Sequence, residues 1–181
     1  MSWKKLTSTV LLKHPRLTVV EDDIELPDGH TSKYIYFANA NDAAMIIAIK
    51  GDSILVQTEY SYPPDLDMYQ LPGGAIEKGE DPIPAALREL EEESGYAAGD
   101  SSEVSYVGYF YVNNRRSAAK MHIILVTDPV ETGATNFDPE EYIESEWIQL
   151  DTLRSMIKEG KIVNYSLLAG LALYDNTVEI K

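Results

Sequence analysis

The sequence predicts an α/β fold, a mixed β-sheet sandwiched between helices, with a small β region at its N-terminus. Three observations carry this. Strand-like and helix-like segments interleave without the regular alternation of a doubly wound parallel sheet. The 181 residues suit one domain with a small appendage. Apolar residues make up 44% and charged residues 25%, ordinary values for a chain that builds a real core.

The elements follow in chain order. "RLTVVEDDIELPDGHTSKYIYFAN" reads as two strands around the turn "PDGH". "AAMIIAIKGDSILVQTEY" reads as two more, hinged at Gly51 and Asp52. The stretch "SYPPDLDMYQLPGG" is expected to be an irregular loop, because Pro63, Pro64 and Pro72 interrupt it. Residues from about Pro82 to Ser94 read as a helix. Pro82 and Pro84 suit its first turn, Asp81 its N-cap and Gly95 its left-handed stop. "EVSYVGYFYV", "KMHIILVTD" and the shorter "ESEWIQL" are strands by composition and partial alternation. "DTLRSMIKEG" and "NYSLLAGLALYD" are closing helices, with Asp151 and Asn164 as caps. Residues 1–40 are expected to form a separate strand region, and 41–181 the main domain.

Composition excludes several classes. With no cysteine there are no disulfides and no thiolate metal sites, which fits a reducing cytoplasm. The opening "MSWKKLTSTV" lacks the apolar run of a secretory leader, and no window is long enough to span a membrane. A net charge of -15 argues against a broad nucleic-acid surface. An anionic substrate therefore needs local help from cations or a few arginines.

The chemistry concentrates in "LPGGAIEKGEDPIPAALRELEEESGY". At helical spacing Ile83, Ala86, Leu87 and Leu90 share one stripe and should be buried. Glu89 and Glu93 are four apart, and Glu92 lies beside them, while Arg88 and Glu91 point elsewhere. Three carboxylates on one face repel unless something positive sits against them, and hard divalent cations want several oxygen ligands of this kind. A lone acidic run would more commonly be a solvated face. The surrounding spacing changes that reading: Gly74, five residues, Glu80, seven residues, Arg88-Glu89-Leu90, one residue, Glu92-Glu93, one residue, Gly95. This pattern resembles the box of the Nudix hydrolase family, with Tyr96 standing where the family prefers an aliphatic residue.

The resemblance implies an α/β/α sandwich in which the box forms a loop–helix–loop. It implies hydrolysis of a nucleoside diphosphate linked to another group, with Mg2+ (or Mn2+) as cofactor. By position it implies Glu89, Glu92 and Glu93 as metal ligands, with the Gly73 carbonyl adding a backbone ligand, and Glu80–Arg88 as an ion pair holding loop to helix. Glu92 is also a catalytic candidate. The alternative is a binding or sensor module of the same fold without turnover; such modules usually lose box glutamates, and none is lost here.

The wider layout resembles the ADP-ribose and nucleoside-diphosphate-sugar pyrophosphatase branch, through "PDG" at 27–29, "VQTEYSYP" before the box and "GKIVNYSLLAGLAL" from Gly160. Ser61 and Gln70 depart from that branch, which often has an arginine and a glutamate there. The branch implies a homodimer built with the N-terminal sheet, and a general base on the acidic loop "DPEEYIESEW", where Glu141 and Glu140 are the candidates, with Asp138 behind them. Arg115 and Arg116 in "YVNNRRSAAK" are candidate phosphate-binding residues. Trp3, Tyr34, Tyr36 and Tyr69 could stack on a base but more commonly pack on strands. His122 is expected in or near the core rather than in catalysis, and His14 and His30 show no cluster.

Overall fold

A computed structural model describes residues 2–137 and 142–178. The chain divides into two compact units, one of residues 1–41 with 111–120, the other of residues 42–110 with 121–181.

In the first unit, β1 (Lys4–His14), β2 (Leu17–Glu25) and β3 (Thr31–Phe37) form an antiparallel sheet in chain order. The β2–β3 turn is the expected one: the Leu26 N–H donates to the His30 carbonyl, the Gly29 N–H donates to the Leu26 carbonyl, and the Asp28 side chain accepts the His30 N–H at 3.1 Å. The strand β1 was not expected. Its apolar residues do not alternate cleanly, and all eleven of its residues are exposed, so it carries no buried-face signal. It is held instead by its ladder to β2 and by Thr7 and Ser8 donating to Asp23 and Asp22.

The second unit begins with β4 (Ala43–Lys50) and β5 (Ser53–Ser61), joined by the two-residue Gly51–Asp52 turn. The expected loop that follows is instead largely extended. It holds β6 (Leu66–Gln70), antiparallel to β5, and β7 (Gly73–Ala75), antiparallel to β4. The prolines lie between these strands rather than within their ladders, so they end pairing without preventing it. The helix α1 (Pro82–Ser94) runs as expected, with Gly95 in the left-handed conformation at its end, φ 69°. Asp81 occupies the N-cap position, but its side chain makes no capping hydrogen bond.

The chain continues through β8 (Tyr96–Ala97), β9 (Val104–Tyr111), β10 (Lys120–Thr127), β11 (Val130–Glu131) and β12 (Ile143–Gln149). It closes with α2 (Leu150–Lys158) and α3 (Tyr165–Val178). The N-cap of α2 is Gln149, so Asp151 falls in its first turn rather than at the cap. Asn164 does cap α3, its Oδ1 accepting the Ser166 N–H at 2.8 Å.

Among the described residues the main sheet has the order β12-β5-β4-β10-β9, with β10 parallel to β4 and β12 antiparallel to β5. Alternation along β4 explains the sandwich. Ala44, Ile46 and Ala48 join Leu55, Ala85, Ala86 and Leu90 in a core beneath α1. Met45, Ile47 and Ile49 join Leu153, Leu167 and Leu171 in a core beneath α2 and α3. A strand buried on both faces reads as a continuous apolar run, as "AAMIIAI" does. The sheet is thus covered on both faces, and the mixed α/β sandwich stands as expected.

Candidate active site

The strand β7 runs against β4 at a distance that only glycine tolerates. A Cβ on Gly73, whose φ is 137°, would lie 2.2 Å from the Ala44 carbonyl oxygen. This close approach sets the "PGG" turn directly beside α1. From α1, Glu93 turns inward and is 6% exposed. The Gly73 N–H donates to its Oε2 at 2.9 Å. Such a bond lowers the cost of burying a carboxylate charge. Gly74 is a looser cradle, set against a side chain rather than backbone: a Cβ there would lie 2.7 Å from Glu89 Oε1.

Arg88 does not point away from the carboxylates, as helical spacing suggested. Its Nε and Nη2 both reach Glu80, at 3.2 Å each, and its Nη1 reaches Glu89 at 2.8 Å and Glu92 at 3.0 Å. A guanidinium offers five donors on a long stem, so one arginine can face the loop carboxylate and the helix carboxylates at once. These bonds raise the Arg88 pKa further, Glu80 contributing most. In return the Arg88 hydrogen bond holds the Glu80 carboxyl below its usual range.

Glu89, Glu92 and Glu93 line one cavity of about 510 Å³ together with Gly73 and Gly74. Five glutamates and one arginine contribute to its wall, a formal surplus of four negative charges. A diphosphate entering this cavity would be repelled unless cations offset that charge. The donor set fits a divalent cation: hard carboxylate oxygens on facing positions of one helix, beside a backbone turn held open by glycine. No three acidic or histidine side chains among the described residues already stand in metal-holding geometry. Arg88 Nη1 instead donates to both Glu89 and Glu92 and supplies positive charge there.

Other expected site residues fall elsewhere. Arg115 and Arg116 belong to the first unit and, with Tyr34 and Tyr36, line a separate cavity of about 440 Å³. Arg116 is held by the Ile35 carbonyl at 3.0 Å and lies 5.6 Å from the centre of the Tyr34 ring. Trp3 packs edge-on against Tyr34. Tyr69 packs on the core under α2 and α3. His122 is largely buried, and its Nδ1 is paired with the Tyr106 hydroxyl at 2.8 Å. Asp138, Glu140 and Glu141 lie outside the described residues. Their chain neighbours Asn136 and Ile143 line the carboxylate cavity, and the Asn136 N–H donates to the Glu92 carbonyl at 2.8 Å.

Sequence reasoning missed Glu59 as a cavity residue and noticed Gln70 only as a departure. Both line the cavity, and Gln70 Nε2 donates to Glu59 Oε2 at 2.8 Å. A usable signal was present: in "ILVQTEY" the polar Gln57 and Glu59 are two apart, on one face of an otherwise apolar strand.

A two-faced α/β sandwich with carboxylates gathered at a glycine turn defines a class of protein, an enzyme that works in an acidic, oxygen-rich cleft. The chain belongs to the Nudix family and is a Nudix hydrolase: residues 39–171 match the NUDIX domain, and residues 3–36 match the nucleoside diphosphate sugar hydrolase N-terminal domain. It is 30% identical over 142 residues to a methanol dehydrogenase activator of Bacillus methanolicus, covering 78% of this chain and 75% of that one. It is 26% identical over 142 residues to an ADP-ribose pyrophosphatase of Bacillus subtilis, with the same coverage of 78% and 75%. To the ADP compounds hydrolase NudE of Escherichia coli it is 28% identical over 134 residues, covering 73% of this chain and 70% of that one. A solved ADP compounds hydrolase shares the fold at a TM-score of 0.89 and 20% identity, across 99% of this chain and 95% of that one.

Proposed function

We propose that the protein hydrolyses the diphosphate linkage of a nucleoside diphosphate joined to another moiety, ADP-ribose or another nucleotide sugar, with Mg2+ (or Mn2+) as cofactor. The observation that carries this is the gathering of Glu89, Glu92 and Glu93 around one strongly acidic cavity beside the Gly73–Gly74 turn. The relatives named for ADP-ribose and ADP compounds support the substrate class.

Glu89, Glu92 and Glu93 would hold the cation, with the Gly73 carbonyl as a further oxygen. When bound, such an ion neutralises diphosphate charge and acidifies water for attack. The protein's own groups do the rest. The Gly73 N–H fixes the Glu93 carboxylate, and Gly74 leaves Glu89 the room it needs. Arg88 ties the helix to the loop through Glu80. A carboxylate on the acidic segment, Glu141 or Glu140, would take the proton, supported by cavity-lining neighbours on either side of that segment. Glu92 is the candidate within the helix. Arg115 and Arg116 are the candidates for holding phosphate oxygens.

The protein is proposed to act as a homodimer through its N-terminal sheet. Leu6, Val10, Leu11 and Leu12 of β1 are all exposed, an apolar surface that a second copy would cover. Sedimentation at micromolar concentration should give the dimer mass, and a monomer there would refute it.

The activity is tested with a panel of nucleotide sugars, magnesium and a coupled phosphatase. Phosphate release from at least one diphosphate-linked substrate, strictly dependent on added magnesium or manganese, is expected. Tight nucleotide binding with no release would instead make this a binding module.

A further inference from the structure

The cavity has a wall that the box does not supply. In β5, Leu55 joins the core beneath α1, so Gln57 and Glu59, two and four residues on, face the same layer. The neighbouring strands agree. Trp147, opposite Leu55, packs against that core, and Ile143, opposite Glu59, lines the cavity. Gln70 stands directly across from Gln57 on β6 and reaches diagonally to Glu59. Gln57 therefore lies at the boundary where the apolar core gives way to the cavity.

Two features of this wall call for a ligand. Gln57 is fully buried, and neither its Nε2 nor its Oε1 has a hydrogen-bond partner among the described residues. A buried amide left without a partner is costly and uncommon in native folds, which sets this boundary apart. Second, the Gln70–Glu59 bond fixes which way the Gln70 amide faces. A carboxylate only accepts, so the nitrogen side must face Glu59, and the Gln70 carbonyl oxygen is left as an acceptor. The wall thus offers carboxylate and amide oxygens side by side, with no arginine or lysine paired to Glu59 among the described residues.

Acceptors arranged this way select for neutral hydroxyl donors. Phosphate oxygens would be repelled by Glu59. Vicinal hydroxyls of a sugar present adjacent neutral donors to such adjacent acceptors.

We propose that Glu59 and Gln70 read sugar hydroxyls of the diphosphate-linked substrate. This rests on the function proposed above. It assigns selectivity to the β5–β6 pair, a part of the cavity outside the box. The hydroxyls could come from the nucleoside ribose or from the second sugar, and both present the same chemistry.

The test is calorimetric binding of the full-length protein, with calcium replacing magnesium so that turnover does not intrude. Three probes are compared: ADP-ribose, its 2′-deoxyadenosine counterpart and the methyl ester of ADP, which lacks the second sugar. Wild type should bind ADP-ribose at least about 10-fold more tightly than one of the two deleted probes, and that probe identifies the sugar. Glu59→Gln should weaken ADP-ribose by about 10-fold and leave that deleted probe nearly unchanged, so that the preference collapses. Gln70→Met should do the same, which guards against a folding defect peculiar to one variant. An equal loss on all three probes, or a shift in the calcium requirement of Glu59→Gln, would overturn the inference and make Glu59 a general electrostatic or metal-binding group. Wild type binding all three equally would also overturn it while leaving the proposed hydrolysis intact. Failure of wild type to bind any of them would overturn both.

Discussion

The two units of this chain are held together by different physics. In the second unit β4 is buried on both faces, and its side chains anchor two apolar cores. In the first unit β1 buries nothing; its sheet buries only Val20 and Ile24 of β2 among its apolar residues, beside ladder hydrogen bonds and exposed polar pairs such as Lys33 with Glu21 and Asp23. Exposed ion pairs contribute little, typically under about 1 kcal/mol each. The lesson is that the carboxylates proposed to hold the cation are mounted on the unit built around two apolar cores. The N-terminal sheet instead carries an apolar surface that gains most from being covered.

The sharpest way to break this comparison is in the cores. Leu90→Ala removes a fully buried side chain beneath α1 and should cost about 2–5 kcal/mol. Leu11→Ser on exposed β1 should cost less than about 0.5 kcal/mol in the monomer. Paired denaturant melts measure both. Similar losses in the two variants would show that the units do not differ as described.

The next effect separates function from stability within the second unit. Glu93→Gln should lower magnesium-dependent turnover on the order of 10²-fold, since a neutral amide replaces a metal-binding carboxylate. The circular dichroism spectrum should be unchanged. Wild-type turnover in this variant at saturating magnesium would remove Glu93 from the site.

A smaller effect is expected at Gly74. An alanine Cβ would meet the end of the Glu89 side chain rather than backbone, so the side chain can move aside. Gly74→Ala should therefore be neutral or mildly stabilising, by up to about 1 kcal/mol. It should raise the magnesium concentration needed for half-maximal turnover by roughly 10-fold. An unchanged magnesium requirement would mean that the Glu89 position is not critical.

The smallest effect concerns pH and the N-terminal sheet. The Thr7 hydroxyl and Lys33 hold the Asp23 carboxyl below its ordinary value. A carboxyl depressed on folding stabilises the fold above its unfolded pKa and loses that contribution as pH falls through its folded value. Lys33 is shifted upward by Glu21 and Asp23, so its contribution is lost only at the alkaline end, as pH rises through its folded value. Hydrogen exchange should therefore show β1 and β2 loosening under acid before β4 does. Simultaneous loosening would show that the sheet is not held by these groups.

What the residues determined by themselves is what depends on local spacing. The helical repeat brought Glu89, Glu92 and Glu93 to one face, Gly95 ended the helix, and the apolar run of β4 announced a strand with two cores. Each rests on neighbours within a few positions, where backbone geometry dictates the outcome. The reach of Arg88 back to Glu89 and Glu92 was not legible, because a flexible side chain chooses its partners only once the loop carrying Glu80 is in place. β1 was equally hidden, since a strand with no buried face leaves no periodic trace. The pairing of Glu59 with Gln70 was decided by tertiary structure. Its two residues are eleven apart, across a turn rich in proline, and only the register between β5 and β6 brings them together. A one-residue slip would have sent Gln70 to the opposite face.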